Sequence, residues 1–577
     1  MKEHIGYIFI CVMGLVYFFL VWHRGEYHFI IAETQEFIAP HFYNFMSNWE
    51  FWEDSLGSNF GGGRDYYLVT ASYWLPILLS KFLQISIWKI YLVQTPLVPL
   101  LILIILYKIT GLFYERSIDR ILPVALMAFY NWRITHIGLG TYAFGDLDGY
   151  QGNDFFITIL LGTYFFFKRA PVKTGLFLGI SQLTHIGQTL TVGPFLIIMW
   201  PIIHKDKTLK PILILIGFFF IGGFIEWILL ENAFPNAGPK INPELQWDAL
   251  ITNGHLNNPS LQPTRFILCS IMLSTLAILS YGISENSQQK QMILFGAGWL
   301  LTMFVGYHFA LTFKVIPLIK INLLRFSNYF LFIIFLAIHI PKERNKRIIF
   351  VCFIMALFCY FINQPYQGTF PKINFLEVIL FVITVIAGFS FLLFSCRLSQ
   401  QTKEASVKGL SYCLIIGLLL LVPLQTIMFW LNRESIEHAK RYEVVKFIRE
   451  NIGEEHRFIF WGESPRGHAI APMTNNSVMD VWVTWRNAYW GDKKRYDENK
   501  KKTLILIPDL YKNGGLAYSL AEKKKLVDAK LKNEPFLERY AKYYKKNFKI
   551  EFVLSGSRIK SVGETIFDNG TYKIMRL

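Results

Sequence analysis

Ile5-Gly-Tyr-Ile-Phe-Ile-Cys-Val-Met-Gly-Leu-Val-Tyr-Phe-Phe-Leu-Val-Trp22 contains no charged residue, and His23-Arg24 close it. A run of this length crosses a hydrocarbon core, which takes roughly 17–25 residues at a helical rise of about 1.5 Å. It is too long for the apolar part of a typical signal peptide, and no small-x-small cleavage pattern follows. An uncleaved first transmembrane helix is expected. Similar runs recur at 90–107, 121–138, 154–168, 173–187, 189–204, 211–230, 266–283, 291–312, 320–340, 347–363, 374–395 and 409–431. The fold class is therefore a polytopic α-helical membrane protein with about thirteen crossings. Around Thr184-His185-Ile-Gly187-Gln188 the pattern fits two short crossings or one broken helix.

Bulk composition agrees. The chain has 577 residues, is 53% hydrophobic and 17% aromatic, and carries a formal charge of +17; its mean hydropathy is +0.34. Such figures exclude an ordinary soluble domain. The cations sit in short loops between apolar runs: Lys108, Arg116 and Arg120; Lys168, Arg169 and Lys173; Lys205, Lys207 and Lys210; Lys342, Arg344, Lys346 and Arg347. That distribution marks membrane topology rather than a nucleic-acid face. It predicts a cytoplasmic N-terminus in a plasma (inner) membrane and an extracytoplasmic C-terminal segment. Lys314 and Lys320 lie on the opposite side from the other cations and point to an anionic partner. The six cysteines, all in or beside apolar runs, make neither a zinc pattern nor a disulfide framework.

Two acidic stretches follow apolar runs on the outer side: Glu33-Thr-Gln-Glu36, and Gly145-Asp146-Leu-Asp148 leading to Asp154. Carboxylates at a lipid boundary are costly to keep and mark chemistry or ion paths. Glu33, with Glu36 nearby, is a candidate general base, because a low-dielectric wall raises carboxyl basicity; the alternative is a pair of solvated loop charges. Asp146 and Asp148 reach one ligand if the loop is extended, and their hard oxygens suit Mg²⁺ or Mn²⁺; the alternative is a Gly-Asp turn. Asp154 fits a helix cap equally well. Arg325, in a late span, must find an anion or a carboxylate, and its fork suits a phosphate. Arg64, Lys320 and Arg133 are candidates of the same kind. His185 and Gln188 read better as groups satisfying helix ends than as a substrate path.

Domain organisation follows from the same pattern. Residues 1–431 form the membrane domain, with a long first outer loop at 23–89 that contains interfacial helices anchored by Trp49, Trp52 and Trp74. The Pro/Asn-rich stretch 231–265 reads as a lid. Beyond 432 the charges become frequent. An amphipathic helix is expected at 435–450, strands at 457–461, 481–484, 503–507, 550–554 and 571–574, and helices at 516–531 and 535–547. This is a small α/β domain over 432–577. Its aromatic residues, among them Trp461, Trp482, Trp485 and Trp490, read as core and interface rather than a sugar platform.

The order of these features resembles the GT-C superfamily of membrane glycosyltransferases, which includes protein mannosyltransferases, aminoarabinose transferases and oligosaccharyltransferase catalytic subunits. Ala32-Glu33-Thr-Gln-Glu36-Phe, followed by Trp49, Trp52, Gly57 and Gly61-Gly62, looks most like the YfhO-like branch, in which an Asp commonly replaces Glu33. Met127-Ala-Phe-Tyr-Asn-Trp-Arg133 through Asp146-Leu-Asp148 resembles the second acidic motif, and Arg325-Phe326 a late-span Arg-Phe. The terminal run from Phe548 to Ile574 resembles the last strands of that branch. No Trp-Trp-Asp-Tyr-Gly motif is present, which argues for transfer of single sugars rather than oligosaccharides.

The resemblance implies an inverting transferase acting from a polyprenyl-phosphate sugar donor on an extracytoplasmic acceptor, whether glycan, lipid or protein. Glu33, Glu36, Asp146 and Asp148 would be catalytic, and Arg325, Arg64, Lys320 and Arg133 would hold the donor phosphate. A Mg²⁺ or Mn²⁺ ion at Asp146 and Asp148 is compatible but not required. No nucleic-acid partner is expected. A transporter or flippase for lipid-linked glycans, an oligosaccharyltransferase-like protein and a non-catalytic assembly protein remain as alternatives.

Overall fold

The computed structural model describes residues 4–32, 74–85, 87–134, 147, 151–206, 208–233, 242–251, 274, 277–284, 287–321, 327–343, 346–351, 400–461, 470–480 and 534–577. The helices in chain order are α1 (Ile5–Arg24), α2 (Tyr27–Ala32), α3 (Trp74–Leu83), α4 (Ile87–Thr110), α5 (Ser117–Ile134), α6 (Gln151–Phe167), α7 (Pro171–His204), α8 (Lys210–Ala233), α9 (Pro243–Ile251), α10 (Ser287–Thr312), α11 (Ile316–Ile321), α12 (Ser327–Phe335), α13 (Gln400–Arg433), α14 (Ile436–Phe447), α15 (Ile470–Thr474) and α16 (Glu534–Phe548). Five strands follow α14: β1 (Arg457–Trp461), β2 (Ser477–Asp480), β3 (Phe552–Gly556), β4 (Glu564–Asp568) and β5 (Tyr572–Arg576).

Among the described residues, 4 helices are long and apolar enough to cross a membrane: Ile5–Arg24, Trp88–Thr110, Lys210–Leu229 and Ser287–Thr312. Phe156–Phe167 and Thr189–His204 are shorter apolar helices. The chain is thus a mostly helical membrane protein carrying a small C-terminal sheet. The expected segment 374–395 and most of 347–363 and 266–283 lie outside the described residues.

α1 shows how such helices pack. Phe9, Ile10, Met13, Tyr17, Leu20 and Val21 are buried at helical spacing, while Ile8, Leu15, Phe19 and Trp22 are exposed. In water that exposure would be penalised; against lipid it is not. A methyl group at Gly6 would fall 2.5 Å from the Tyr107 ring, so a larger residue there would require that ring to shift. The Gly6 amide, which has no partner within its own helix turn, donates to Ser117 Oγ at 3.1 Å.

The helical run α7 is not straight. Thr189 Oγ1 lies 3.1 Å from Ser181 Oγ, although a straight helix would separate these positions by about 12 Å. Gly179 meets the Phe218 carbonyl and Gly193 the Phe219 ring, adjacent residues of α8. The chain therefore folds back between residues 181 and 189, and both arms pack on α8. The two backbones meet at Gly222 and Gly179, beside the Gln182 amide, which donates to the Phe219 carbonyl.

Of the span expected at 320–340, Ser327–Phe335 is helical as α12 and residues 338–341 are not helical, so the helix stops short of the expected end; residues 322–326 lie outside the described residues. Side chains replace the helical partners of this buried stretch. Tyr114 Oη donates to the Leu336 carbonyl (2.5 Å), Asp119 Oδ1 accepts from the Ile340 amide (3.1 Å), and Arg116 Nη2 donates to the Ile340 carbonyl (3.3 Å). Buried irregular backbone is tolerated when its polar groups are satisfied in this way.

The C-terminal sheet has the order β2-β1-β3-β5-β4. β1 pairs parallel with β2 and β3, and β5 pairs antiparallel with β3 and β4. Ser435 caps α14, accepting from the His438 amide at 3.2 Å. The β4–β5 turn needs Gly570 at φ 81°, and Asp568 Oδ1 accepts from its amide at 2.9 Å. β1, β3, β5, α14 and α16 match the expected elements within a few residues. β2 and β4 were not expected: β2 has 4 residues and β4 is an exposed edge, so neither carries a clear apolar alternation. The expected elements at 481–484, 503–507 and 516–531 lie outside the described residues.

Candidate functional site

The chain leaves α1 at Arg24 and turns at Gly25, whose φ of 53° is left-handed and favours glycine. It then enters α2. His28, Phe29, Ile30 and Ile31 are all fully buried, so this short helix has no solvent face. Phe29 and Ile30 join the core of the C-terminal sheet with Trp88, Val445 and Phe458, whereas Ile31 belongs to the core of the membrane bundle. α2 is a wedge between two cores, and its last described residue, Ala32, directly precedes Glu33 in the sequence.

His28 crosses from this wedge to the second acidic stretch. Its Nε2 lies 2.9 Å from the carbonyl oxygen of Leu147, the residue between Asp146 and Asp148. A carbonyl only accepts, so Nε2 carries the proton. Leu147 is itself fully buried. The imidazole rests on Trp430, with ring centroids 4.9 Å apart, and Arg24 Nη2 donates to the Trp430 carbonyl at 2.8 Å. Arg24 also pairs with Glu434 at 3.5 Å.

Further contacts bind α2 to the C-terminal domain. The Tyr27 ring lies 5.2 Å from that of Tyr442. Burial, reinforced by the Glu434 carboxylate, pushes the Tyr27 hydroxyl up to about 12, so it stays a neutral donor. Arg449 pairs with Glu26 at 2.6 Å and donates through Nε to the Met473 carbonyl at 2.7 Å. The segment leading to Glu33 is thus gripped from α1, α13 and α14 together.

Glu33, Glu36, Arg64, Asp146, Asp148 and Arg325 lie outside the described residues. Arg133 falls on α5 and Lys320 on α11, with only their backbone described. The described residues join α2 to Leu147 through His28. Among the described residues no three His, Cys, Asp or Glu side chains gather as a metal site.

Sequence reasoning did not single out His28 or Glu226. His28 is a polar residue inside the apolar run 27–32, which is its only local signal. Glu226 is a buried carboxyl on α8, on the face shared by Gly222 and Gly223, and its Oε2 has no hydrogen-bond partner among the described residues. A charge inside an apolar span is the signal that identifies it.

No family model matches the chain, and no curated protein matches it. Among solved structures the chain is similar to ArnT from Cupriavidus metallidurans, determined bound to undecaprenyl phosphate. The identity is 9% and the TM-score 0.47, over 98% of this chain and 97% of that one.

Proposed function

We propose that the chain is a membrane glycosyltransferase of the GT-C type, closest to the YfhO-like branch, that moves one sugar from a polyprenyl phosphate to an extracytoplasmic acceptor. The observation that carries this reading is the bond from His28 Nε2 to the Leu147 carbonyl. It ties the backbone between Asp146 and Asp148 to the helix that runs into Glu33, as one shared site requires. Separate pockets for Glu33 and Asp146 would argue against it.

In this reaction Glu33 or Asp146 takes the proton of an acceptor hydroxyl or amine. The freed lone pair attacks the anomeric carbon, the bond from that carbon to the phosphate oxygen breaks, and polyprenyl phosphate leaves. Inversion follows from in-line displacement. Arg325, with Arg64, Lys320 or Arg133, stabilises the phosphate as charge develops. A monophosphate leaving group needs no more than such cations; Mg²⁺ or Mn²⁺ at Asp146 and Asp148 would assist in the same way.

The test uses purified protein in lipid nanodiscs with a panel of polyprenyl-phosphate sugars, with and without chelator. Glu33→Gln or Asp146→Asn should lower turnover by roughly 10²–10⁴-fold, the usual worth of a general base, while donor binding persists. Arg325→Ala should weaken donor binding instead. Full turnover in Glu33→Gln, Asp146→Asn and Asp148→Asn alike would refute the proposal. So would translocation of the intact lipid-linked sugar without transfer.

A further inference from the structure

We propose that the surface formed by the α6–α7 and α7–α8 connections binds the headgroup of an anionic phospholipid. The inference does not depend on what the protein catalyses. Lys168, Arg169 and Lys173 lie at the first connection, and Lys205 and Lys210 at the second; all five are exposed. Packing brings the two connections together. His204, the last residue of α7, has its ring 4.9 Å from that of Phe166, near the end of α6. Phe166 also meets Trp200 edge-on at 5.3 Å. On the other side, a Cβ at Gly175 would sit 2.8 Å from the Phe218 ring, so the first turns of α7 lie against α8.

The charge on this face is one-sided. Asp206 is the only acidic residue between 168 and 210, and its Oδ1 already accepts from the Thr208 amide at 2.9 Å and the Thr208 hydroxyl at 2.8 Å. Among the described residues no salt bridge uses any of the five cations. Lys168 rests over the Tyr164 ring at 4.8 Å and Lys173 over the Phe165 ring at 5.2 Å; such contacts hold an ammonium in place without neutralising it. The stretch after α12 differs: Lys346 pairs with Glu343 at 3.1 Å, and Arg347 donates to the Pro341 and Lys342 carbonyls. Exposed apolar side chains border the five cations, Val172 and Leu176 on α7 and Leu209 and Leu213 around the start of α8. Lys210 itself opens a helix apolar and long enough to cross a membrane. A patch basic on one edge and apolar on the other matches a lipid, with phosphate against the cations and acyl chain against the leucines. Topology alone asks for cations beside a span; it does not ask that two connections converge.

Native mass spectrometry of the full-length protein in dodecyl maltoside tests this, with dioleoyl phosphatidylglycerol and dioleoyl phosphatidylcholine titrated in parallel. The two lipids share their chains and differ in headgroup charge. The wild type should hold phosphatidylglycerol more tightly, by roughly tenfold or more. Lys168→Gln/Arg169→Gln/Lys205→Gln should lose that preference, since each basic residue beside an anionic lipid is worth roughly fivefold. Lys342→Gln/Lys346→Gln, which changes the stretch after α12, should keep it. Equal binding of the two lipids by the wild type overturns the inference. So does an equal loss in both sets of variants, which would mean attraction by net charge alone. Should the triple variant fail to accumulate, Arg169→Gln and Lys205→Gln are measured singly, and each should weaken phosphatidylglycerol binding roughly fivefold; unchanged binding in both overturns the inference.

Discussion

Gly222 and Gly217 lie on the same helix, and alanine should act on them in opposite directions. A Cβ at Gly222 would sit 2.6 Å from both the Cα and the carbonyl oxygen of Gly179, whereas one at Gly217 would meet nothing within 4 Å. Carbon atoms prefer separations of about 3.5–4.0 Å, so Gly222→Ala must push α7 and α8 apart by about 1 Å. The atoms in the way are backbone and cannot swing aside. Overpacking of this kind typically costs about 1–3 kcal/mol. The helix-propensity gain of Gly→Ala, about 0.8–1.0 kcal/mol, is common to both variants and cancels in the comparison. The difference between them is therefore about 1–3 kcal/mol, or roughly 5–150-fold in the unfolding equilibrium. Equilibrium unfolding in mixed micelles of dodecyl maltoside and dodecyl sulfate measures it directly. Gly217→Ala should match or exceed the wild type, and Gly222→Ala should fall below both. Equal stability of the two variants, or a more stable Gly222→Ala, would refute the close approach of α7 and α8.

The fold-back of α7 makes a sharper geometric prediction. In a background without the native cysteines, Ser181→Cys with Thr189→Cys should form an intrachain disulfide under mild oxidation, since Oγ and Oγ1 are 3.1 Å apart and a bridge needs Cβ atoms about 3.5–4.5 Å apart; mass spectrometry should show the loss of two hydrogens, and a pair that stays reduced would mean a straight helix. The β4–β5 turn predicts a pH dependence. The Ser557 hydroxyl and the Gly570 amide donate to Asp568 and hold its carboxyl below the usual carboxylate range. Its contribution to stability is therefore fully present above the unfolded carboxylate value and is lost as pH falls through the depressed folded one. Asp568→Asn keeps the acceptor oxygen but does not titrate, so thermal unfolding of the variant should lose less on acidification than the wild type; identical acid sensitivity would show that the turn does not titrate with folding.

Much of the candidate site was legible in part. The acidic pairs at 33–36 and 146–148 stand out because carboxylates beside apolar runs are locally improbable. His28 does not stand out. A lone histidine in an apolar stretch looks the same whether it fills a core or holds a distant carbonyl, and the difference lies in Leu147, 119 residues away. Glu226 carries a local signal of the same kind, a carboxyl inside an apolar span. Arg24 and Glu434 looked like ordinary flanking charges; their pairing at 3.5 Å is a fact of packing alone.

The amino-acid sequence by itself determined that this chain spans a membrane, where α1, α4, α8 and α10 run, and that a small α/β domain closes it. Hydrophobic length, alternation and charge are sums over neighbouring residues, so they can be read without knowing what else is near. Only the tertiary structure decided that α7 folds back between Ser181 and Thr189, that the helix after Ser327 stops at Phe335, and that α2 is wedged between two cores with His28 bonded to Leu147. Each of these depends on which side chain from elsewhere satisfies a buried backbone group. Because a buried polar atom must find a partner wherever one is available, that choice is made by the packed whole rather than by any local stretch.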